Sequence, residues 1–111
     1  MSFFKVCLLS NLSKEKPIKF NIDDIDILFV LDFQTEKVWA FDNNCNHADK
    51  PLEKGKWNPE KAEITCPFHK AVFSISENGA VKAPPACIPL NVYKTEIKIE
   101  NAEKFVYVQL D

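Results

Sequence analysis

Two short segments carry residues with metal chemistry, Cys45-Asn46-His47 and Cys66-Pro67-Phe68-His69. The 111-residue chain has only two histidines, and each lies within three residues of a cysteine. A thiolate is a soft donor and a neutral imidazole a borderline one. Two of each, delivered as two pairs from separate segments, suit either a tetrahedral zinc or an iron–sulfur cluster of mixed ligation. Core cysteines beside hydrogen-bonded histidines are the bland alternative, and they leave the repeated pairing unexplained.

The elements that must position these pairs read as strands. Phe4–Leu8, Ile18–Ile22, Asp26–Phe33, Val38–Asp42, Glu63–Thr65, Val72–Ile75, Val92–Ile99 and Phe105–Leu110 are rich in β-branched and aromatic residues and bounded by turn residues. No helical periodicity of any length competes with them, and seven prolines leave little room for a long helix. Asn78-Gly79 supplies the positive φ of a tight hairpin, and Asn58-Pro59-Glu60-Lys61 puts proline where a type I turn accepts it. Asp23-Asp24 and Gln34-Thr35-Glu36 are two further hairpin tips. Asn43–Trp57, Cys66–Lys70 and Lys82–Pro89 are expected to be irregular, and both metal-type pairs fall on them, where a β scaffold usually carries function. The expectation is all-β.

Size and composition narrow the rest. The length suits one domain, 1–111, with no repeat or linker to divide it. A composition of 46% hydrophobic and 27% charged residues is that of an ordinary globular chain, neither disordered nor membrane-spanning. Ile25–Leu31 contains Asp26 and is far too short to cross a bilayer. The first ten residues lack both a basic leader and a long apolar region, so a cytoplasmic, soluble protein is expected, where four cysteines more often mean metal ligands or free thiols than disulfides. A formal charge of −2 supplies no basic stripe for a nucleic acid. All fourteen cationic residues are lysine.

The ordered pairs Cys45-Asn46-His47 and Cys66-Pro67-Phe68-His69 resemble the C-x-H and C-x-x-H motifs of the Rieske family. Pro51-Leu52, Gly55 and Ala83-Pro84-Pro85 follow in that family's order. The resemblance is strongest from Phe41 to Pro89, and the flanking strands are compatible with it over nearly the whole chain. It implies a Rieske-like fold, an antiparallel β-sandwich or barrel of short strands with a small cluster-binding subdomain at about 43–87. It also implies a Rieske-type [2Fe-2S] cluster as cofactor, with Cys45 and Cys66 on one iron and His47 and His69 on the other. Two neutral imidazoles in place of two thiolates make adding an electron easier, with potentials of about −150 to +300 mV against about −400 mV for plant-type ferredoxins.

Several positions depart from that pattern. High-potential Rieske proteins join their cluster loops by a disulfide, where this chain has Lys50 and Phe68. They also donate hydrogen bonds from a Ser and a Tyr, where this chain has Ala71 and Phe73, so the low end of the range is expected. Two glycines common in the family are replaced by Asp49 and Lys70. The gap from Ala48 to Thr65 is at the long end for the family, and the Asn58-Pro59 turn is where the added length would sit. Cys7 is expected to be a buried thiol. Cys87 follows the proline segment and finds no ligand vacancy, while Trp39 and Trp57 read as core packing.

The function expected from the resemblance is a monomeric electron carrier, a ferredoxin component and not an enzyme. It would pass single electrons from a flavin or NAD(P)H reductase to a terminal oxygenase or similar acceptor, with no nucleic-acid or membrane partner. A catalytic oxygenase subunit needs a second iron held by two histidines and a carboxylate, and both histidines are already used. The alternatives are the small electron-transfer subunit of an assimilatory nitrite reductase and a zinc-binding structural module.

Overall fold

A computed structural model describes residues 2–45, 50–67, 70–83 and 90–110. Among these the chain runs through β1 (Ser2–Leu8), a 3-10 turn (Leu9–Asn11), β2 (Ile18–Ile22), β3 (Ile25–Leu31), β4 (Val38–Asp42), β5 (Asn44–Cys45) and β6 (Lys50–Pro51). It continues through β7 (Lys56–Asn58), β8 (Glu63–Thr65), β9 (Val72–Ser74), β10 (Ala80–Ala83), β11 (Val92–Tyr93), β12 (Thr95–Glu100) and β13 (Glu103–Leu110). The described residues form three larger sheets, β1-β13-β12, β11-β4-β3-β2 and β10-β9-β8-β7, and a two-stranded ribbon, β5-β6. Every pairing is antiparallel. The expected all-β, antiparallel class holds.

The sheet β11-β4-β3-β2 separates two cores, and β3 shows why. Ile27, Leu28, Phe29 and Val30 are all fully buried, a continuous apolar run that only a strand covered on both faces can use. Ile27 and Phe29 face Val106 and Val108 of β13 on one side. Leu28 and Val30 face Ile64, Cys66, Phe73 and Leu90 on the other. The second core therefore contains Cys66, and the first ties the terminal strands to the same central sheet.

Turn chemistry sets the registers. Asp23 and Asp24 take φ of 52° and 66° in the two-residue tip between β2 and β3, whose flanks Ile22 and Ile25 pair. Asn101 and Ala102 do the same between β12 and β13. The tip at Gln34-Thr35-Glu36 is held by Asp32, whose Oδ2 accepts from the backbone of Gln34 and Thr35 and from the Thr35 hydroxyl. In the Asn58 turn, Asn58 Oδ1 accepts the Lys61 N–H at 3.2 Å.

Four expectations need correction. Val92–Ile99 is two strands, because β11 pairs with β4 whereas β12 pairs with β13, and the chain changes sheets at Lys94. The segments expected to be irregular contain β5, β6, part of β7 and the end of β10. Asn78 and Gly79 do have positive φ, yet they close a wider loop in which Gly79 N–H bonds Ser74 O. Cys7 is only half-buried, since the register shift between Lys5 and Cys7 interrupts the in–out alternation of β1. Trp57 is a core residue stacked on Phe41 at 5.8 Å, and half-buried Trp39 donates its indole N–H to Asp32.

Candidate metal centre

The cysteine of each pair sits on a hairpin. Cys45 ends β5, and its backbone is opposite Lys50 of β6. Cys66 follows β8, whose last pair is Thr65 with Val72 of β9. Past that pair the chain closes on itself: Cys66 N–H donates to Ala71 O at 2.8 Å, and Lys70 N–H donates to Cys66 O at 3.0 Å. His47 and His69 lie outside the described residues, as do Asp49, Phe68 and Cys87. Among the described residues no three metal-ligating side chains converge.

Cys66 is completely buried, forms no disulfide, and lies in an apolar cluster with Leu52, Ala71, Phe73 and Leu90. A thiol walled off from water on a hairpin is in the right setting for a metal ligand, because the surrounding apolar shell controls solvent access. Ala71 and Phe73 are also fully buried there. Lys70 is exposed and holds φ of 61°, a left-handed conformation natural to glycine.

The two hairpins meet at Gly55. A Cβ there would fall 2.3 Å from Thr65 O and 3.3 Å from Pro67 Cδ, so only glycine lets the backbone after β6 approach the strand that delivers Cys66. The described residues on either side of the proline segment are anchored. β10 pairs with β9 before it, and after it Leu90 N–H donates to Gly79 O at 2.8 Å while Asp42 N–H donates to Asn91 O at 3.0 Å. Beside that anchor the Tyr93 hydroxyl donates to Asp42 Oδ1 at 2.5 Å. Burial first, then the Asp42 carboxylate, pushes the Tyr93 pKa well above its ordinary value, so it remains a donor.

The structure thus places Cys45 and Cys66 on two hairpins in mutual contact. It adds two residues whose roles the motif alone did not reveal: Gly55, visible only as a family glycine, and Asn43, a buried polar residue just before β5. The signal for Asn43 was weak, since an asparagine before a loop is common in any turn.

Fold and sequence together define an antiparallel β protein with a cysteine on each of two adjoining hairpins and a histidine close behind each in the chain. The model of the Rieske [2Fe-2S] domain family matches residues 2–94, and the chain belongs to that family. The ferredoxin component of biphenyl 2,3-dioxygenase from Rhodococcus jostii (strain RHA1) is 30% identical over 98 residues, 88% of this chain and 87% of that protein. The solved ferredoxin of carbazole 1,9a-dioxygenase from Nocardioides aromaticivorans IC177 superposes with a TM-score of 0.77 at 29% identity, over 96% of this chain and 97% of the other. A structure described as an NADH-dependent nitrite reductase small subunit from Mycobacterium tuberculosis gives 0.76 at 14% identity, over 99% and 96%, a likeness of fold alone. The cofactor of such a domain is a Rieske-type [2Fe-2S] cluster, and the two thiols and two imidazoles that the sequence supplies fit it. The protein is an electron carrier, and the zinc-module alternative falls away. No helix among the described residues is long and apolar enough to cross a membrane.

Proposed function

We propose that Cys45, His47, Cys66 and His69 hold the cluster and that the chain is the ferredoxin component of a multicomponent oxygenase, taking single electrons from a flavin or NAD(P)H reductase and delivering them to a terminal oxygenase. The supporting observation is the close approach, at Gly55, of the hairpins that carry Cys45 and Cys66, on a chain 30% identical to a dioxygenase ferredoxin over 88% of its length. When bound, the cluster supplies a one-electron couple. Cys66 contributes a water-free thiolate, and Ala71 and Phe73, buried in the same cluster, offer it no hydroxyl.

Purified protein should be red-brown with about two irons and two acid-labile sulfides per chain. Cys45→Ser, His47→Ala, Cys66→Ser and His69→Ala should each abolish normal cluster assembly, and Cys7→Ser should not. A normal spectrum in His69→Ala would refute the ligand set. The full-length fold match to the nitrite reductase small subunit supports a second reading. Reoxidation of the reduced protein by a ring-hydroxylating oxygenase, and not by a nitrite reductase large subunit, is expected from the first. The proposed monomeric state is checked by sedimentation.

A further inference from the structure

We propose that Asn43 and Gly55 are positioning residues that fix the separation between the hairpin bearing Cys45 and His47 and the hairpin bearing Cys66 and His69. The inference rests on the ligand assignment above and deepens it. Asn43 is one of two buried polar residues among the described residues, with only 5% exposure. Its backbone N–H donates to Asp26 O at 3.1 Å, tying it to β3. From that fixed point it grips Leu52 twice, since the Leu52 N–H donates both to Asn43 O at 2.7 Å and to Asn43 Oδ1 at 3.1 Å. The two ends of the β5-β6 ribbon are thereby held together at its base.

The grip continues outward. Leu52 O accepts the Gly55 N–H at 2.7 Å, turning the chain back against β8. There the missing side chain of Gly55 admits Thr65 O and Pro67, the residues on either side of Cys66. An unbroken series of contacts therefore runs from β3 through Asn43, Leu52 and Gly55 to the backbone beside Cys66. Each link is short and involves backbone, so little slack is available. A set of four ligands split between two hairpins needs such a fixed spacing, because sub-ångström misplacement of one half alters the geometry at the irons.

The experiment compares holoprotein variants by electron paramagnetic resonance of the reduced state and by the rate of iron loss to a chelator. Gly55→Ala must displace Thr65 O, and Asn43→Ala releases one of the two acceptors for Leu52 N–H. Val106→Ala, in the core on the far face of the central sheet, is the control for stability alone. Asn43→Ala and Gly55→Ala should shift or broaden the g-values and speed iron loss roughly five- to tenfold or more, the factor one net hydrogen bond represents. Val106→Ala should lower the melting temperature with g-values unchanged. If Gly55→Ala fails to fold, Asn43→Ala still decides. Wild-type g-values in Asn43→Ala, or equal shifts in Val106→Ala, would overturn the positioning role. A wild-type signal in His69→Ala would instead overturn the ligand set, a result that no outcome with Asn43 or Gly55 can imitate.

Discussion

Lys70 donates its backbone N–H to the carbonyl oxygen of Cys66 at 3.0 Å, and it does so with φ of 61°. A left-handed conformation costs an L-residue about 1–2 kcal/mol, and lysine has no short polar side chain to offset it locally. Glycine would relieve that strain at a chain-entropy cost of about 0.5–1 kcal/mol. Lys70→Gly is therefore expected to stabilise the protein by about 0.5–1 kcal/mol in denaturant unfolding. A clear loss of stability would show that the lysine side chain itself supports the turn.

Trp57 is stacked on Phe41 with ring planes 15° apart, yet its indole N–H is buried with no acceptor among the described residues. An unpaired buried donor costs about 1–3 kcal/mol. Trp57→Phe keeps a stacking ring and deletes that donor, so the gain offsets much of the lost packing. Stability should stay within about 1 kcal/mol of wild type in urea unfolding, whereas a core tryptophan changed to alanine loses about 3–5 kcal/mol. A deficit approaching the alanine value would mean that the N–H has a partner.

Burial pushes the Cys7 thiol up from its ordinary value of 9.0 to about 11. Between these values the unfolded chain has lost the proton and the folded chain keeps it, so stability falls as pH rises through that window. The contribution is fully present below about 9. The stability difference between wild type and Cys7→Ser should therefore shift against wild type from pH 9 to pH 11, and a pH-independent difference would show that the thiol is not held protonated.

The long strands were legible because their patterns are strong: Ile18–Ile22 and Val38–Asp42 have the bounds their composition suggests. Near the site, β8 was legible with its bounds, Glu63–Thr65, whereas β5 and β6 were not. β5 and β6 are two residues each, too few for an alternation to register, and Pro51 marks the second as irregular although it lies in a ribbon with only one partner. The sheet change at Lys94 was hidden for another reason, since a strand looks the same whichever neighbour it joins. The types of the proposed ligands were explicit in the sequence. What holds the hairpins apart was not, because a contact made by the absence of a side chain at Gly55 leaves no chemical signature.

Ala71 and Phe73 carry the last prediction, for they stand where the resemblance to high-potential Rieske proteins puts a Ser and a Tyr that donate hydrogen bonds. Both are fully buried in the cluster of residues around Cys66, and Ala71 O accepts the Cys66 N–H at 2.8 Å. A hydroxyl donor stabilises the reduced, more negative state more than the oxidised one. If each bond is about 1 to 1.5 kcal/mol stronger on reduction, Ala71→Ser and Phe73→Tyr should each raise the potential. With about 59 mV for a tenfold change in a one-electron couple, the rise is roughly 40 to 65 mV per donor. Phe73 pairs with Ile64 on one side and Val81 on the other, so a tyrosine hydroxyl that found no acceptor or cluster sulfur would cost about 1–3 kcal/mol. That outcome has its own signature, a lower melting temperature with no shift in potential. Voltammetry on both variants, with spectra confirming intact clusters, separates the two, and an unchanged or lowered potential in both would refute the tuning role.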